Sequence, residues 1–278
     1  MLDLLLAATL VLLVVGARVF YALRVARTAD AISRATEGQK TSLFGRGFVD
    51  AMAWAATPIA RQLVADGVSA NAVTGAALVF GAAGGMAFAA GHFGIGAWFA
   101  ASSALCDALD GVVARLSGTA STAGETLDTS VDRYTEFFLL AGLGLYFRTN
   151  AWMLAVVLLA LQGSFMVSYV ETRAASASIA VARRWMAQPD RATLLIIGAV
   201  LSAVVAGVGA ARWVVLVPIL AALFIDSVGA NASAAYRLIR LVVQLGKPAG
   251  VPASMQAPME SRTTSIPPIG VHRVHTIG

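Results

Sequence analysis

The feature that most constrains this sequence is a recurrence of long apolar stretches, each close to the length that crosses a bilayer. Spanning the hydrocarbon core takes about 20 mostly apolar residues. Seven such stretches lie at 2–23, 71–91, 93–116, 124–147, 151–172, 192–210 and 213–241. Their interiors are rich in Ala, Val, Leu, Ile, Phe and Gly and lack the strict alternation of membrane strands. Helices satisfy their own backbone hydrogen bonds in lipid, so the pattern predicts an all-α integral membrane protein. Composition agrees. The chain is 58% hydrophobic and 13% charged, where a soluble domain carries about a quarter charged residues.

The first stretch has the length of a signal-peptide core over Leu4–Ala17. It lacks a basic leader, and Asp3 stands where Lys or Arg would be. Arg18, Arg24 and Arg27 follow it, so 1–23 is expected to be an N-terminal transmembrane anchor with its start outside. The segment 24–66 carries Arg24, Arg27, Arg34, Lys40, Arg46 and Arg61 and reads as cytoplasmic. Within it, Phe48, Met52, Ala55, Ile59 and Leu63 recur at three- to four-residue spacing. That predicts a juxtamembrane amphipathic helix over Phe48–Val64, lying along the interface or against the bundle.

Threading the remaining helices sorts the basic residues. Of the 20 Lys and Arg, all but Arg148 and Arg212 fall on the cytoplasmic side or in cytoplasmic halves of helices. The net charge of +5 therefore reads as a topology signal, and no nucleic-acid partner is expected. The tail 245–278, rich in Pro, Ser and Thr, is expected to be disordered and cytoplasmic. His92, His272 and His275 have no ligand partners near them in a membrane segment, which argues against a histidine metal site or a Ser-His-Asp triad. Cys106 is alone and reads as small packing. Gly81 and Gly85 form a GxxxG pair, which serves close helix packing within the bundle or a contact between copies.

Charged residues inside a membrane segment are costly and usually functional. Four acids cluster in CDALDGVVARLSGTASTAGETLDTSVDRYTE. Asp107 and Asp110 are spaced i, i+3, and Asp128 and Asp132 are spaced i, i+4, so each pair shares a helix face. The short polar turn Ser117–Ala123 joins the two helices antiparallel, which brings the four carboxylates to one depth. Together in a low dielectric they would repel, and protonation or cations must relieve them. Clustered oxygen ligands suit Mg²⁺, Mn²⁺ or Ca²⁺. Two divalent ions there could clamp a diphosphate for phosphoryl transfer. Gly111 leaves room beside Asp110, Arg115 one turn on offers a forked donor to phosphate, and Gly124 permits close approach on the second helix.

The order Asp107-x2-Asp110-Gly111-x2-Ala114-Arg115-x8-Gly124-x3-Asp128-x3-Asp132 resembles the signature of the CDP-alcohol phosphotransferases, with every fixed position at the family's spacing. Asn71-Ala72-Val73-Thr74 resembles the family's Asn-x-x-Thr, although Ala70 stands where a proline often precedes it. The resemblance covers 46–243 more loosely and implies a six-helix catalytic bundle over 67–244 behind the juxtamembrane helix. It implies that Asp107, Asp110, Asp128 and Asp132 hold metal, Mg²⁺ or Mn²⁺, and that Asp132 is the general base. Thr74, Gly111, Ala114, Arg115 and Gly124 match positions around the CDP group. The implied reaction moves a phosphatidyl group from CDP-diacylglycerol to an alcohol and releases CMP. The implied setting is a homodimer in a bacterial inner membrane, with the site on the cytoplasmic side.

The acceptor is less legible. Ser168-Tyr169-Val170-Glu171-Thr172-Arg173-Ala174 resembles the Ser-Tyr-x-Lys/Arg-Ala-Arg-Ala stretch of phosphatidylinositol phosphate synthases, with Glu171 in place of a basic residue. Ser168, Arg173, Arg191 and Arg237 match or fall near acceptor positions of that subgroup. A polyol phosphate, such as inositol phosphate or glycerol 3-phosphate, is the expected acceptor. Glu171 keeps a neutral or amino alcohol as the alternative. Arg183, Arg184 and Arg191 also read as loop charges, and Arg173 as a side chain snorkelling from its helix end. Asp226 and Asn231 read as interhelical hydrogen-bonding residues, and Glu136 as an extension of the polar site or a partner of Arg133. A cation-coupled transporter would place intramembrane acids near the midplane of repeated halves. No internal repeat is visible.

Overall fold

The computed structural model describes residues 1–25, 46–179 and 186–246, without the side chains of 18, 19, 21–25 and 46–55. The expected tail, Arg24, Arg27, Arg34, Lys40, Arg183 and Arg184 lie outside the described residues or side chains. The described residues form helices and no strands. These are α1 (Leu2–Val25), α2 (Arg46–Ala65), α3 (Ala70–Ala89), α4 (Phe93–Ser117), α5 (Thr122–Tyr146), α6 (Ala151–Ser176), α7 (Gln188–Gly207) and α8 (Arg212–Leu245). By length and composition α3, α4, α6, α7 and α8 are each apolar enough to cross a membrane. Of the other two expected spans, α1 offers a shorter apolar run over Leu2–Ala17. The α5 helix carries Glu125, Asp128, Asp132, Arg133 and Glu136, whose charges lower its hydropathy.

Two layers of three helices make the bundle. In the first, α3 packs against both α4 and α5, which scarcely touch each other. Small residues on α3 make this possible. A side chain at Gly84 would meet Leu139 and Phe99, and one at Gly85 would run into the Phe138 carbonyl. Gly142 of α5 approaches the Gly85 backbone as closely. The GxxxG pair thus serves packing inside the chain, because Gly81 sits against Thr135. In the second layer α8 packs on α6 and α7, and α4–α7 and α5–α6 contacts join the layers. Phe88, Phe93, Leu140, Leu143, Val157, Ala199 and Leu223 form the core at that junction.

The N-terminal helix is part of this bundle. It lies on α4 and α7 and buries Ala7 and Leu10 in the common core. Asp3 Oδ1 accepts a hydrogen bond from Ile95 N at 2.8 Å. That amide belongs to the first turn of α4, where His92 supplies no side-chain cap. A carboxylate there satisfies an orphan donor and meets the positive end of the helix dipole. Further along, Val11–Val15 are exposed.

The juxtamembrane helix α2 begins at Arg46, slightly before the expected start. Its bundle-facing side is Ala56 and Ala60, both fully buried against Val73, Leu109 and Val113. Ile59, expected on the apolar face with Leu63, is exposed. Small side chains let α2 lie close on α4, and the larger Ile59 is turned outward.

Candidate metal and nucleotide site

Local sequence sets the ends of the helices that carry the acids. The α4 helix stops at Gly118, whose φ of 69° is the left-handed conformation glycine adopts without strain. Ser121 then caps α5, its Oγ accepting from Gly124 N at 3.2 Å. Asp110 and Asp128 each lie about two turns, or roughly 10 Å, from this connection.

One carboxylate oxygen from each of Asp107, Asp128 and Asp132 falls within 4.8 Å of the others. Asp128 also contacts Asp110, and Asp132 contacts Asp107. The two helix faces therefore converge as their spacing predicts. Asp110 is the most buried of the four, 4% exposed, and takes a 2.6 Å hydrogen bond from Thr74 Oγ1 on α3. The Thr74 hydroxyl also lies 3.1 Å from Ala70 O, but its single proton serves the shorter bond to Asp110. Four clustered carboxylates make a donor set that fits a hard divalent cation, with Arg115 and Arg133 near enough to act on Asp110 and Asp132.

Around them, Gly111 lies under the Arg115 side chain, since a Cβ at Gly111 would sit 3.3 Å from Arg115 Nη1. Arg115 itself is exposed at the end of α4, and Ala114 is half-buried beside it. Gly124 spends its amide on the Ser121 cap.

The residues expected at an acceptor site are divided. Arg191 is 2% exposed and fully engaged. Its Nε donates to Glu136 Oε1 at 2.9 Å, its Nη2 to Glu136 Oε2 at 3.1 Å and Ser164 Oγ at 3.2 Å, and its Nη1 to Met186 O at 2.9 Å. Arg133 Nη1 donates to the same Glu136 at 2.8 Å. Glu136 is thus both an extension of the polar site and the partner of Arg133. Arg237, also 2% exposed, pairs with Glu171 across α6 and α8. Ser168 is half-buried one turn before Glu171, and Arg173 is exposed. Two residues along a helix is a rotation of about 200°, so Arg173 stands on the far side of α6 from Glu171.

Three positions differ from the sequence expectation. Arg191 is not a loop charge, because α7 begins at Gln188 rather than near 192. Pro189 sits in the first turn, and Asp190 Oδ2 accepts from Ala187 N at 3.2 Å. Asp226 makes no interhelical hydrogen bond from Oδ1, which lies 3.8 Å from Arg191 Nε. Asn231 does bond between helices, donating to Leu159 O at 2.8 Å. Gln188, not singled out from the sequence, contacts the Asp132 carboxylate. The Gln-Pro pair ahead of an apolar run was the signal for that helix start.

The fold and this carboxylate cluster define a polytopic membrane transferase. Residues 67–244 match the family model for CDP-alcohol phosphatidyltransferase, and the chain belongs to that family. A phosphatidylinositol phosphate synthase of Mycobacteroides abscessus is 27% identical over 157 residues, covering 52% of this chain and 68% of the relative. An archaetidylinositol phosphate synthase of Pyrococcus horikoshii is 36% identical over 113 residues, covering 39% and 56%. Among solved structures, the Mycobacterium tuberculosis phosphatidylinositol phosphate synthase with CDP-DAG bound aligns with a TM-score of 0.60 at 24% identity. That alignment covers 67% of this chain and 92% of the other. The same enzyme in complex with manganese and citrate aligns equally well.

Proposed function

We propose that this protein transfers the phosphatidyl group of CDP-diacylglycerol to the hydroxyl of an alcohol and releases CMP. The convergence of Asp107, Asp128 and Asp132, with Asp110 held by Thr74, is the observation that carries this reading. Family membership makes an enzyme the reading to prefer over a cation-coupled transporter. A structural neighbour, the Mycobacterium tuberculosis phosphatidylinositol phosphate synthase, has been solved with CDP-DAG bound, which supports the choice of donor.

In this reading Asp107, Asp110, Asp128 and Asp132 hold one or two Mg²⁺ or Mn²⁺ ions. Bound there, the metal supplies electrostatic stabilisation of the diphosphate. Arg115, lying across Gly111, offers its guanidinium to phosphate oxygens at the mouth. Thr74 fixes the Asp110 carboxylate, and Gln188 steadies Asp132. Asp132 takes the proton of the acceptor hydroxyl, and that oxygen forms a bond to the lipid-linked phosphorus. The bond from that phosphorus to CMP breaks, and CMP leaves with the electron pair. The proposal also includes a bacterial inner-membrane setting, a cytoplasmic site and a homodimer.

The test is CMP release from CDP-diacylglycerol by the purified full chain, with a panel of alcohols. Activity should vanish in EDTA and return with Mg²⁺ or Mn²⁺. Full activity in rigorously metal-free buffer would overturn the metal assignment. The relatives' names suggest a polyol phosphate as acceptor, whereas the ion pairs of Arg191 and Arg237 favour an acceptor without phosphate.

A further inference from the structure

One turn deeper than Asp132, about 6 Å along α5, Arg133 and Glu136 of α5, Ser164 of α6, Arg191 of α7 and Asp226 of α8 form a polar cluster. A second pair, Glu171 of α6 and Arg237 of α8, lies about two turns along α6 from Ser164, towards the end of the bundle that holds the α4–α5 turn; the cluster and this pair together are called the polar seam. The ion pairs Arg133–Glu136, Arg191–Glu136, Arg191–Asp226 and Arg237–Glu171 leave three arginines against three carboxylates, a formal charge of zero. Ser164, fully buried, bridges the two arginines that share Glu136, within 3.5 Å of Arg133 Nη1 and 3.2 Å of Arg191 Nη2.

Two polar atoms in this seam are buried without a hydrogen-bond partner. One is a donor, Arg133 Nε, and the other an acceptor, Asp226 Oδ1. Asp226 is 6% exposed. Buried polar groups are normally satisfied, and each orphan asks for an explanation. A hydroxyl both donates and accepts, so a ligand with several hydroxyls can satisfy a spare donor and a spare acceptor together. A phosphate dianion can satisfy only the donor. It would face the Asp226, Glu136 and Glu171 carboxylates, and it would have to take an arginine from an ion pair already made. Breaking a buried pair by removing one partner costs about 3–5 kcal/mol.

Resting on the transfer reading above, we propose that the seam is the acceptor subsite and that it takes a polyol bearing no phosphate. The polyol presents one hydroxyl to Asp132 and places others on Asp226 Oδ1 and Arg133 Nε. Glu171, pairing with Arg237, keeps that arginine from drawing in a phosphorylated acceptor.

The experiment measures CMP release by the full chain with paired acceptors that differ by one phosphate, inositol against inositol 1-phosphate and glycerol against glycerol 3-phosphate, and with serine and ethanolamine. The unphosphorylated polyol should lead its partner in kcat/KM by at least about tenfold. Asp226→Asn, which keeps the size but turns the charged acceptor into a neutral amide, and Arg133→Lys, which keeps the charge but removes the orphan Nε donor, should raise the polyol KM about tenfold and leave the CDP-diacylglycerol KM in place. Glu171→Lys should move the preference towards the phosphorylated partner. A wild-type preference for the phosphorylated member or for an amino alcohol overturns the proposal. So does an unchanged polyol KM in both Asp226→Asn and Arg133→Lys. If no acceptor yields CMP, the transfer reading itself has failed. Equilibrium binding of labelled inositol against labelled inositol 1-phosphate then decides the subsite: tighter binding of inositol supports it, and tighter binding of the phosphate ester overturns it.

Discussion

The hydroxyl of Thr74 donates to the carboxylate of Asp110 at 2.6 Å, across 36 positions of the chain. It is a charge-assisted bond between α3 and α4, and it fixes which Asp110 oxygen remains for a cation. Partners of metal ligands typically contribute about 10- to 100-fold in metal affinity. Thr74→Val keeps the shape and removes the donor. The Mg²⁺ concentration for half-maximal activity should rise about tenfold or more. An unchanged metal titration would show that Asp110 needs no such orientation.

Asp132 separates chemistry from binding. A general base contributes about 10²–10⁴-fold. Asp132→Asn should lower turnover by that order, with CDP-diacylglycerol binding largely retained. Asp110→Asn should weaken both metal and CDP-lipid binding. Near-normal turnover in Asp132→Asn would remove the residue from its assigned role.

The contact of α3 with α5 has no slack. A methyl at Gly85 would meet the Phe138 carbonyl, and that neighbour is backbone that cannot rotate away. Overpacking of a tight core costs about 1–3 kcal/mol. Gly85→Ala should lower the thermal midpoint in detergent by several degrees, whereas Gly75→Ala, with open space around it, should not. Equal midpoints for the two variants would contradict the packing described.

Asp3 makes the N-terminal helix an integral element. Loss of a capping carboxylate costs about 0.5–2 kcal/mol. Asp3→Ala should accelerate hydrogen exchange at the Ile95 amide and leave exchange at the start of α6, capped by Asn150, unaltered. Unchanged protection at Ile95 would mean that α1 is only a tether.

The carboxylate cluster was legible because its determinants are local. Asp107 to Asp132 fall within one helix-turn-helix, and helical periodicity alone decides which faces meet. The bundle was legible for a similar reason, since spans such as 93–116 and 151–172 need only length and hydropathy. The charge pairing was not. Arg191 finds Glu136 55 positions away, and Arg237 finds Glu171 66 positions away. No periodicity links such residues, and an arginine ahead of an apolar run looks the same whether it faces water or a buried acid. On α2, Leu63 packs inward as its spacing predicts, but Ile59 faces outward and Ala56 and Ala60 take the closest contact, which hydrophobicity alone does not rank.

The spacing of these two sites along the chain orders their assembly during synthesis. A membrane protein is made from its N-terminus, and Thr74 and all four aspartates emerge within the first three bundle helices. The polar seam instead draws on every later helix, and Arg237 comes close to the end of the last one. A nascent chain that has released α5 therefore already holds the four aspartates of its candidate cation site, while Glu136 still lacks Arg191 and Glu171 has not been made. Glu136 has Arg133 beside it from the start, but the full pairing of these acids waits for arginines that are translated about 55–66 residues later.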